Sequence, residues 1–512
     1  MVINGGTFEL QMGNTSDEDW VQTQRVFRPR KWRLNYLTNF LRLYERPLIL
    51  IEHSTMKNND PINRRRFLKR SGAAGMGLGM AGYLGSLAKA DSQTASTSVR
   101  KIGANDRITA AVIGTNGRGL AHIDCLGNIQ GTEIVYICDV DDRAIAKGIK
   151  EAAKKQTAAP KGLKDFRKVL EDKSVDVVTI ATPDHWHAPM AIIAMAAGKH
   201  VYVEKPCSQN PYEGELLLQA VNRYRRVVQM GAQRRSSAHM REIIPQIHAG
   251  LIGKTYFGKG WYANHRLSIG HGKPAPVPAW LDFDLWQGPA PRRPFIDNLV
   301  HYDWHWRWLY GTGEALNNGT HEIDVCRWAL GVNWPTRVSS NGGRYAFQDD
   351  WETPDTQNIT WDFAEGKTMS WEGRSCNDYP VEGRSRGTLI YGTEGTALLD
   401  GDEYIIYDKN KKIIKQDKGK EVVDPTNTVS GSGVGMDTAH VSNFIETVRG
   451  KQQLSCPIEE GSKSCTLLHL GNIAWRVGRE LNCDPANGHI LKDPAAMKLW
   501  RRNYQPGWEP KV

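Results

Sequence analysis

Between residues 107 and 233 the chain alternates short aliphatic runs with longer stretches whose apolar positions recur every three or four residues. RITAAVIG (107–114) is apolar on both strand faces and predicts a buried strand ending in Gly114. A helical pattern follows, then a second strand, EIVYICD, ending at Asp139, and a Lys/Ala-rich helix. DVVTIAT (176–182) predicts a third buried strand, and HAPMAIIAMAAG a helix closed by Gly198. HVYVEKP reads as a strand. NPYEGELLLQAVNRYRR reads as a helix with Asn210 as N-cap, Pro211 at its first position and Glu213 completing a capping box. VVQMGAQ is one more strand. Strands and helices alternating over about 130 residues predict a parallel, doubly wound sheet.

The pattern changes near Gln233. From residue 254 to 430 come alternating, aromatic-rich strand candidates: TYFGKGWYA, TRVSSNGGRYA, QNITWDFA, KTMSWEGR, GTLIYGTEGTALLD and EYIIYD. Gly/Asn/Asp turns separate them, so the second part reads as an α/β domain with an open, mainly antiparallel sheet. Helical patterns return at AHVSNFIETVRG and CTLLHLGNIAWRVGREL. There are no internal repeats.

Charge first suggests a nucleic-acid partner, because the 512-residue chain carries a net +10. Its distribution removes that reading. Residues 1–90 hold 14 Lys+Arg and 7 Asp+Glu, a net +7, which leaves only +3 for Asp91–Val512. The basic excess belongs to a leader. NRRRFLKRSGAAG (63–75) carries Arg64 and Arg65 ahead of Phe67, Leu68 and Lys69, then a Gly/Ala-rich apolar run and Ala88-Lys89-Ala90. This is the anatomy of a twin-arginine export signal with an A-x-A cleavage site, a route that carries proteins already folded to the periplasm. The expected organisation is 1–55 as upstream sequence before a true start at Met56, 56–90 as signal, 91–104 as polar linker, 105–233 as nucleotide domain and 234–512 as substrate and oligomerisation domain. The eight cysteines lie in the mature part without a C-x-x-C pair and are expected as buried thiols.

The first strand runs into G-T-N-G-R-G, so Gly114, Asn116, Gly117, Arg118 and Gly119 form a turn opening a helix. A dinucleotide fingerprint reads G-x-G-x-x-G; Asn116 stands in for its second glycine, and the backbone N–H groups still aim at a pyrophosphate. Asp139 lies 20 residues past Gly119, at the second strand's end, where an acid bonds the ribose and repels a 2′-phosphate. The expected cofactor is therefore NAD rather than NADP. Ligands of such sheets sit beyond the strands' carboxyl ends, which brings in Thr182, Pro183 and His187 after the third strand and Glu204 and Lys205 after the fourth. A partly desolvated lysine beside a cationic nicotinamide has a lowered pKa and can bond or deprotonate a hydroxyl. No metal is expected: His185 and His187, two apart on an expected loop, have no ligand set around them.

GTNGRG, TPDHWH, VEKP and the later NNGTHEID together resemble the Gfo/Idh/MocA family of glucose–fructose oxidoreductase and inositol dehydrogenase relatives, over nearly all of residues 105–500. The resemblance implies an N-terminal Rossmann domain, a C-terminal α/β domain whose open sheet covers the active site, an NAD(P) cofactor, and sugar or cyclitol substrates. It also implies a lysine working with an Asp and a His of a D-x-x-x-H stretch. Lys205 and His321 match, whereas Asn317 stands where many members have Asp. An amide accepts no proton, so His321 is expected as the main general acid/base. Asp324 shares its helical face. Arg234 and Arg235 at the domain junction, and Trp306 and Arg307 within HYDWHWRWLYGTG (301–313), are expected to line the substrate pocket, flat rings against sugar faces and guanidiniums on hydroxyls. Some relatives also use the twin-arginine route with nucleotide held tightly. The expected activity is an exported NAD(P)-dependent oxidoreductase acting on a sugar or glycoside hydroxyl. The alternatives are a glycosidase or lyase working by transient oxidation, and a non-catalytic sugar-binding protein. Expected partners are the small substrate, the translocase during export and, through a broad sheet face, further copies of the chain.

Overall fold

The computed structural model describes residues 107–401, 403–418 and 434–512. All of them belong to one contact unit, Gln93–Val512. The expected signal, linker and upstream extension lie outside the described residues.

The first layer is built from β1 (Ile108–Ile113), α1 (Arg118–Gly127), β2 (Thr132–Cys138), α2 (Asp142–Ala152), β3 (Lys161–Leu163), α3 (Phe166–Glu171), β4 (Val177–Ile180), α4 (Asp184–Ala196), β5 (His200–Val203), α5 (Pro211–Tyr224) and β6 (Val228–Met230). The strands are all parallel, in the order β3-β2-β1-β4-β5-β6. That is the doubly wound dinucleotide order, with its crevice where β1 and β4 diverge. The three-residue β3 escaped the sequence pattern because none of its side chains is fully buried. α4 begins at Asp184, one turn earlier than expected, so His185, Trp186 and His187 lie on its first turn rather than on a loop. At α5 the Asn210 side chain accepts from the Glu213 N–H at 3.1 Å, and Glu213 reaches back to the Gln209 N–H at 3.0 Å. The capping box is thus closed one residue earlier than the usual pattern.

The second layer contains α6 (Ala238–His248), β7 (Thr255–Ala263), α7 (Phe283–Gln287), α8 (Gly313–Asn317), α9 (Gly319–Leu330), β8 (Arg337–Gly343), β9 (Thr356–Phe363), β10 (Lys367–Arg374), β11 (Arg386–Gly392), β12 (Gly395–Asp400), β13 (Glu403–Asp408), β14 (Ile413–Lys418), α10 (Val434–Val448), α11 (Ile458–Val477), β15 (Leu481–Asn482) and α12 (Pro494–Met497). Its nine strands run β14-β13-β12-β11-β7-β10-β9-β8-β15, antiparallel except for the parallel pair of β7 and β10. The long GTLIYGTEGTALLD run is a hairpin, β11 and β12, turned at Thr393-Glu394.

α9 lies on this sheet because two glycines let it approach. A Cβ on Gly258 would meet the Cys326 sulfur at 2.7 Å, and one on Gly260 the Glu322 Cβ at 2.8 Å. α9 carries His321, so this close packing sets the depth of the reactive group. A face of the nucleotide sheet is completed from far along the chain. Val441, Phe444 and Ile445 of α10 are buried with Ile108, Val112 and Tyr202 in one apolar cluster. None of the helices among the described residues is long and apolar enough to cross a membrane.

Candidate active site

The β1–α1 turn is too tight for side chains. Gly114 has φ +86°, and a Cβ there would fall 2.6 Å from the Ala181 carbonyl at the end of β4; one on Gly119 would fall 1.9 Å from the Gly114 oxygen. Gly117 caps α1 without a side-chain hydrogen bond, which leaves the first-turn N–H groups facing the crevice. Asn116 is exposed at the rim. Asp139 accepts from the Thr115 N–H at 2.6 Å and the Asp141 N–H at 3.1 Å. Burial pushes its carboxyl up from the usual carboxylate range, opposed by those two amides. The Thr182 hydroxyl is buried with no hydrogen-bond partner, and Pro183 begins α4 beside it. A side-chain-free turn, an uncapped helix end, an acid at the second strand's end and an orphaned hydroxyl at the third fit the pyrophosphate and ribose of a dinucleotide.

A strap from the second layer walls this crevice. The Asp142 N–H donates to the Trp280 carbonyl at 3.0 Å, the Asp282 N–H to Val140 at 3.0 Å, and the His301 ring meets Asp141 Oδ2 at 2.8 Å. The wall stands one to three residues past Asp139.

The reactive corner lies at the β5 end. Lys205 Nζ donates to both carbonyl oxygens of Asn317, the side-chain one at 3.2 Å. Burial lowers the Lys205 pKa; Glu204 and Asp184 pull it back up. Asn317 is held in a single orientation, because its amide nitrogen donates to Glu314 Oε1 at 3.3 Å. Glu314 is 2% exposed and also holds Arg266, Nε to Oε2 at 2.8 Å. His321 is 8% exposed, and its Nε2 has no hydrogen-bond partner. Burial, then Lys205, Arg386 and Arg234, hold its pKa well below the usual imidazole value, so the ring is neutral. A lysine donor and a neutral imidazole with an orphaned ring nitrogen lie near one another, a pair able to exchange a hydroxyl proton.

Several expected contacts are redirected. Glu204 points inward, 2.7 Å from Arg118 Nε and 3.0 Å from His122 Nε2, and Arg118 closes a two-pronged pair with Asp437 at 2.8 and 2.6 Å. Neither charge is left facing a nucleotide; together they tie α1, β5 and α10. The His187 ring lies between the carbonyls of Pro206, at 2.6 Å, and Thr182, at 2.7 Å, so it faces the backbone rather than a nucleotide. Arg235 and Asp324 form a buried pair at 2.7 and 2.9 Å, and Ser464 donates to the same carboxylate. Two opposite charges that satisfy one another bind the junction to α9 and α11 rather than a substrate. Trp306 is stacked on Trp351 at 4.0 Å inside the fold, and Arg307 is held by Asn298 and Asp350. Arg234 pairs with Glu322 at 3.3 Å. Sequence reading missed Glu314, Arg266 and Asp184. Glu314 had a signal, since it sits one helical turn before Asn317 in GTGEALNNGTH; Arg266 had none.

The paired architecture decides the family: residues 108–232 match the family model described as "Oxidoreductase family, NAD-binding Rossmann fold", and residues 255–510 the one described as "Oxidoreductase family, C-terminal alpha/beta domain". The chain belongs to the Gfo/Idh/MocA oxidoreductases. This Gfo/Idh/MocA protein therefore carries an NAD-binding domain, as the fingerprint and Asp139 predict. It is 29% identical, over 78% of its length and 90% of theirs, to an alpha-N-acetylgalactosaminidase of Shewanella oneidensis. A glycosyl hydrolase family 109 protein of Saccharopolyspora erythraea is 32% identical over 40% of this chain and 46% of that one. Among solved structures, a levoglucosan dehydrogenase complexed with NADH and levoglucosan shares the fold at TM-score 0.57 and 18% identity, covering 74% of this chain and 99% of that one. The myo-inositol 2-dehydrogenase of Lactobacillus plantarum does so at TM-score 0.55 and 18% identity, covering 74% of this chain and 100% of that one.

Proposed function

We propose that this chain is an exported NAD-dependent enzyme that oxidises a hydroxyl-bearing carbon of a sugar or glycoside. The observation that carries the reading is the corner formed by Lys205, Asn317 and His321 at the carboxyl edge of the nucleotide sheet. Bound NAD supplies a hydride acceptor there. Lys205, with its proton affinity lowered by burial, bonds the reacting hydroxyl and favours its deprotonation. His321 Nε2, neutral and without a protein partner, takes or returns that proton. Asn317 holds the lysine through its carbonyls and relays no proton.

A second reading is favoured by the relatives named as glycosidases, whose lengths are largely spanned by this chain. Oxidation of one ring carbon acidifies the neighbouring C–H; its loss expels the glycosidic oxygen, water adds, and the hydride returns. The net reaction is hydrolysis, with no nucleotide consumed.

One experiment separates the two. The mature chain is purified, its nucleotide is released by acid and quantified, and the loaded protein is mixed with sugars and with aryl glycosides. We expect bound NAD in excess of NADP. Lasting absorbance at the reduced-nicotinamide band with a free sugar supports net oxidation; aryl release with no lasting absorbance supports the glycosidase. A protein with no affinity for NAD or NADP overturns both.

A further inference from the structure

The reactive corner has a second imidazole that neither reading uses. His305 lies on the short 3-10 turn Asp303–Trp306. Its ring is stacked on Trp304, centroids 3.6 Å apart at 19°, and flanked by Tyr302 at 4.6 Å. Its Nδ1 lies 2.5 Å from the Tyr302 carbonyl oxygen. A carbonyl only accepts, so Nδ1 carries the hydrogen and Nε2 of the neutral ring carries a lone pair. Nε2 has no hydrogen-bond partner among the described residues.

The turn is built into the corner. A Cβ on Gly311 would fall 2.3 Å from the His305 carbonyl, so the loop doubles back on His305 before entering α8. Arg266 donates to the Tyr302 hydroxyl at 2.9 Å and to Glu314 at 2.8 Å; Glu314 holds Asn317, and Asn317 holds Lys205. An unbroken chain of contacts thus runs from the turn to the lysine. Stacking, the Nδ1 hydrogen bond and the reversed loop fix the ring before any ligand arrives, the preorganisation that a binding group requires.

We propose that His305 is a substrate-orienting residue whose Nε2 accepts a hydrogen bond from a sugar hydroxyl beside the carbon that reacts at Lys205. Chemistry selects the donor. An ammonium would be repelled by Lys205 and Arg266, and a carboxylate has no hydrogen to give. Burial, with those same two cations, pushes the ring down to about 3, so it remains an acceptor at any working pH. In the proposed reading His321 takes the proton, so the role of His305 is orientation. The inference rests on the proposed sugar-oxidising reading.

Binding tests it independently of chemistry. The full mature, nucleotide-loaded protein is titrated by calorimetry with levoglucosan, myo-inositol and methyl α-N-acetylgalactosaminide, each with its single-deoxy analogues. His305→Asn keeps an amide donor for Tyr302 and deletes Nε2; His305→Phe keeps the stack and deletes both nitrogens. The wild type should lose about ten- to a hundredfold affinity for one particular deoxy analogue. Either folded variant should bind the parent sugar that weakly and no longer distinguish that analogue. Additive losses, or variants that bind like wild type, overturn the proposal, as does loss of fold in both. Absorbance at the reduced-nicotinamide band is recorded in parallel. Discrimination without reduction upholds His305 while removing the oxidising reading; reduction with additive losses does the reverse; no sugar binding at all removes both.

Discussion

Asn317 holds Lys205 with two carbonyl oxygens and turns its amide toward Glu314, so an acid sits one hydrogen bond beyond the position that usually carries one. The lysine therefore faces dipoles rather than a charge. Lys205→Ala and His321→Ala should each lower turnover by about two to four powers of ten while leaving bound NAD in place. Asn317→Ala should cost about tenfold. Asn317→Asp tests the electrostatics. A carboxylate opposite Lys205 raises the lysine's proton affinity, so the fall of rate at high pH that tracks loss of the ammonium donor should move to higher pH. Rate profiles of the three variants at several pH values check this; an Asn317→Asp profile identical to wild type would sink the placement of Lys205 as donor to the reacting hydroxyl.

At the scale of elements, the Arg118–Glu204–Asp437 network decides how α10 seats on the nucleotide sheet. Removing one partner of a buried ion pair leaves the other charge unpaired, whereas replacing both with apolar groups is close to neutral. Asp437→Asn should lower stability by up to about 3 kcal/mol, and the triple replacement Arg118→Met, Glu204→Gln and Asp437→Leu, which leaves no buried charge unpaired, by much less. Denaturant midpoints of the single and triple variants measure it. The single variant should also weaken NAD binding, because Arg118 opens α1. Equal losses in single and triple variants would show that packing of α10, not the charge, holds the joint.

For the whole molecule, the buried imidazoles set the response to acid. Burial pushes His185, His305 and His469 down to about 3 and His200 and His440 to about 4. Each holds fewer protons folded than unfolded, so its contribution is complete above the unfolded value of about 6.5 and falls as pH drops below it, until the folded form protonates. Glu460, lowered to about 2 beside Arg327, acts in the same direction at lower pH. Stability should therefore fall steadily between about pH 6.5 and 4, by up to about 1.4 kcal/mol per histidine per pH unit, and the melting temperature with it. Calorimetry across that range decides it, and a constant melting temperature would contradict the neutral burial of these rings. Export is a second prediction at this scale. Replacing Arg64 and Arg65 with lysines should strand the precursor in the cytoplasm, and the mature chain should begin at Asp91; periplasmic delivery of the double variant would point to another route.

The sequence alone determined what is local. RITAAVIG and DVVTIAT are strands because a doubly covered parallel sheet demands runs apolar on both faces. Gly114 and Gly119 announce a turn with no room for a Cβ, and Asp139 stands at a strand end whichever way the rest folds. Lys205, Asn317 and His321 were legible because a short motif places each on a predictable strand end or helix. Tertiary structure decided everything that depends on which charge meets which. Arg235 and Asp324 lie 89 residues apart and cancel one another, Arg118 and Asp437 lie 319 apart and do the same, and no spacing in the chain announces either pair. Trp306 looks like a sugar platform beside its neighbours in sequence, yet Trp351 covers it. Spacing reveals a residue's own geometry within a turn or two; whether its charge or ring is free for a ligand depends on partners brought to it by the packing of distant elements.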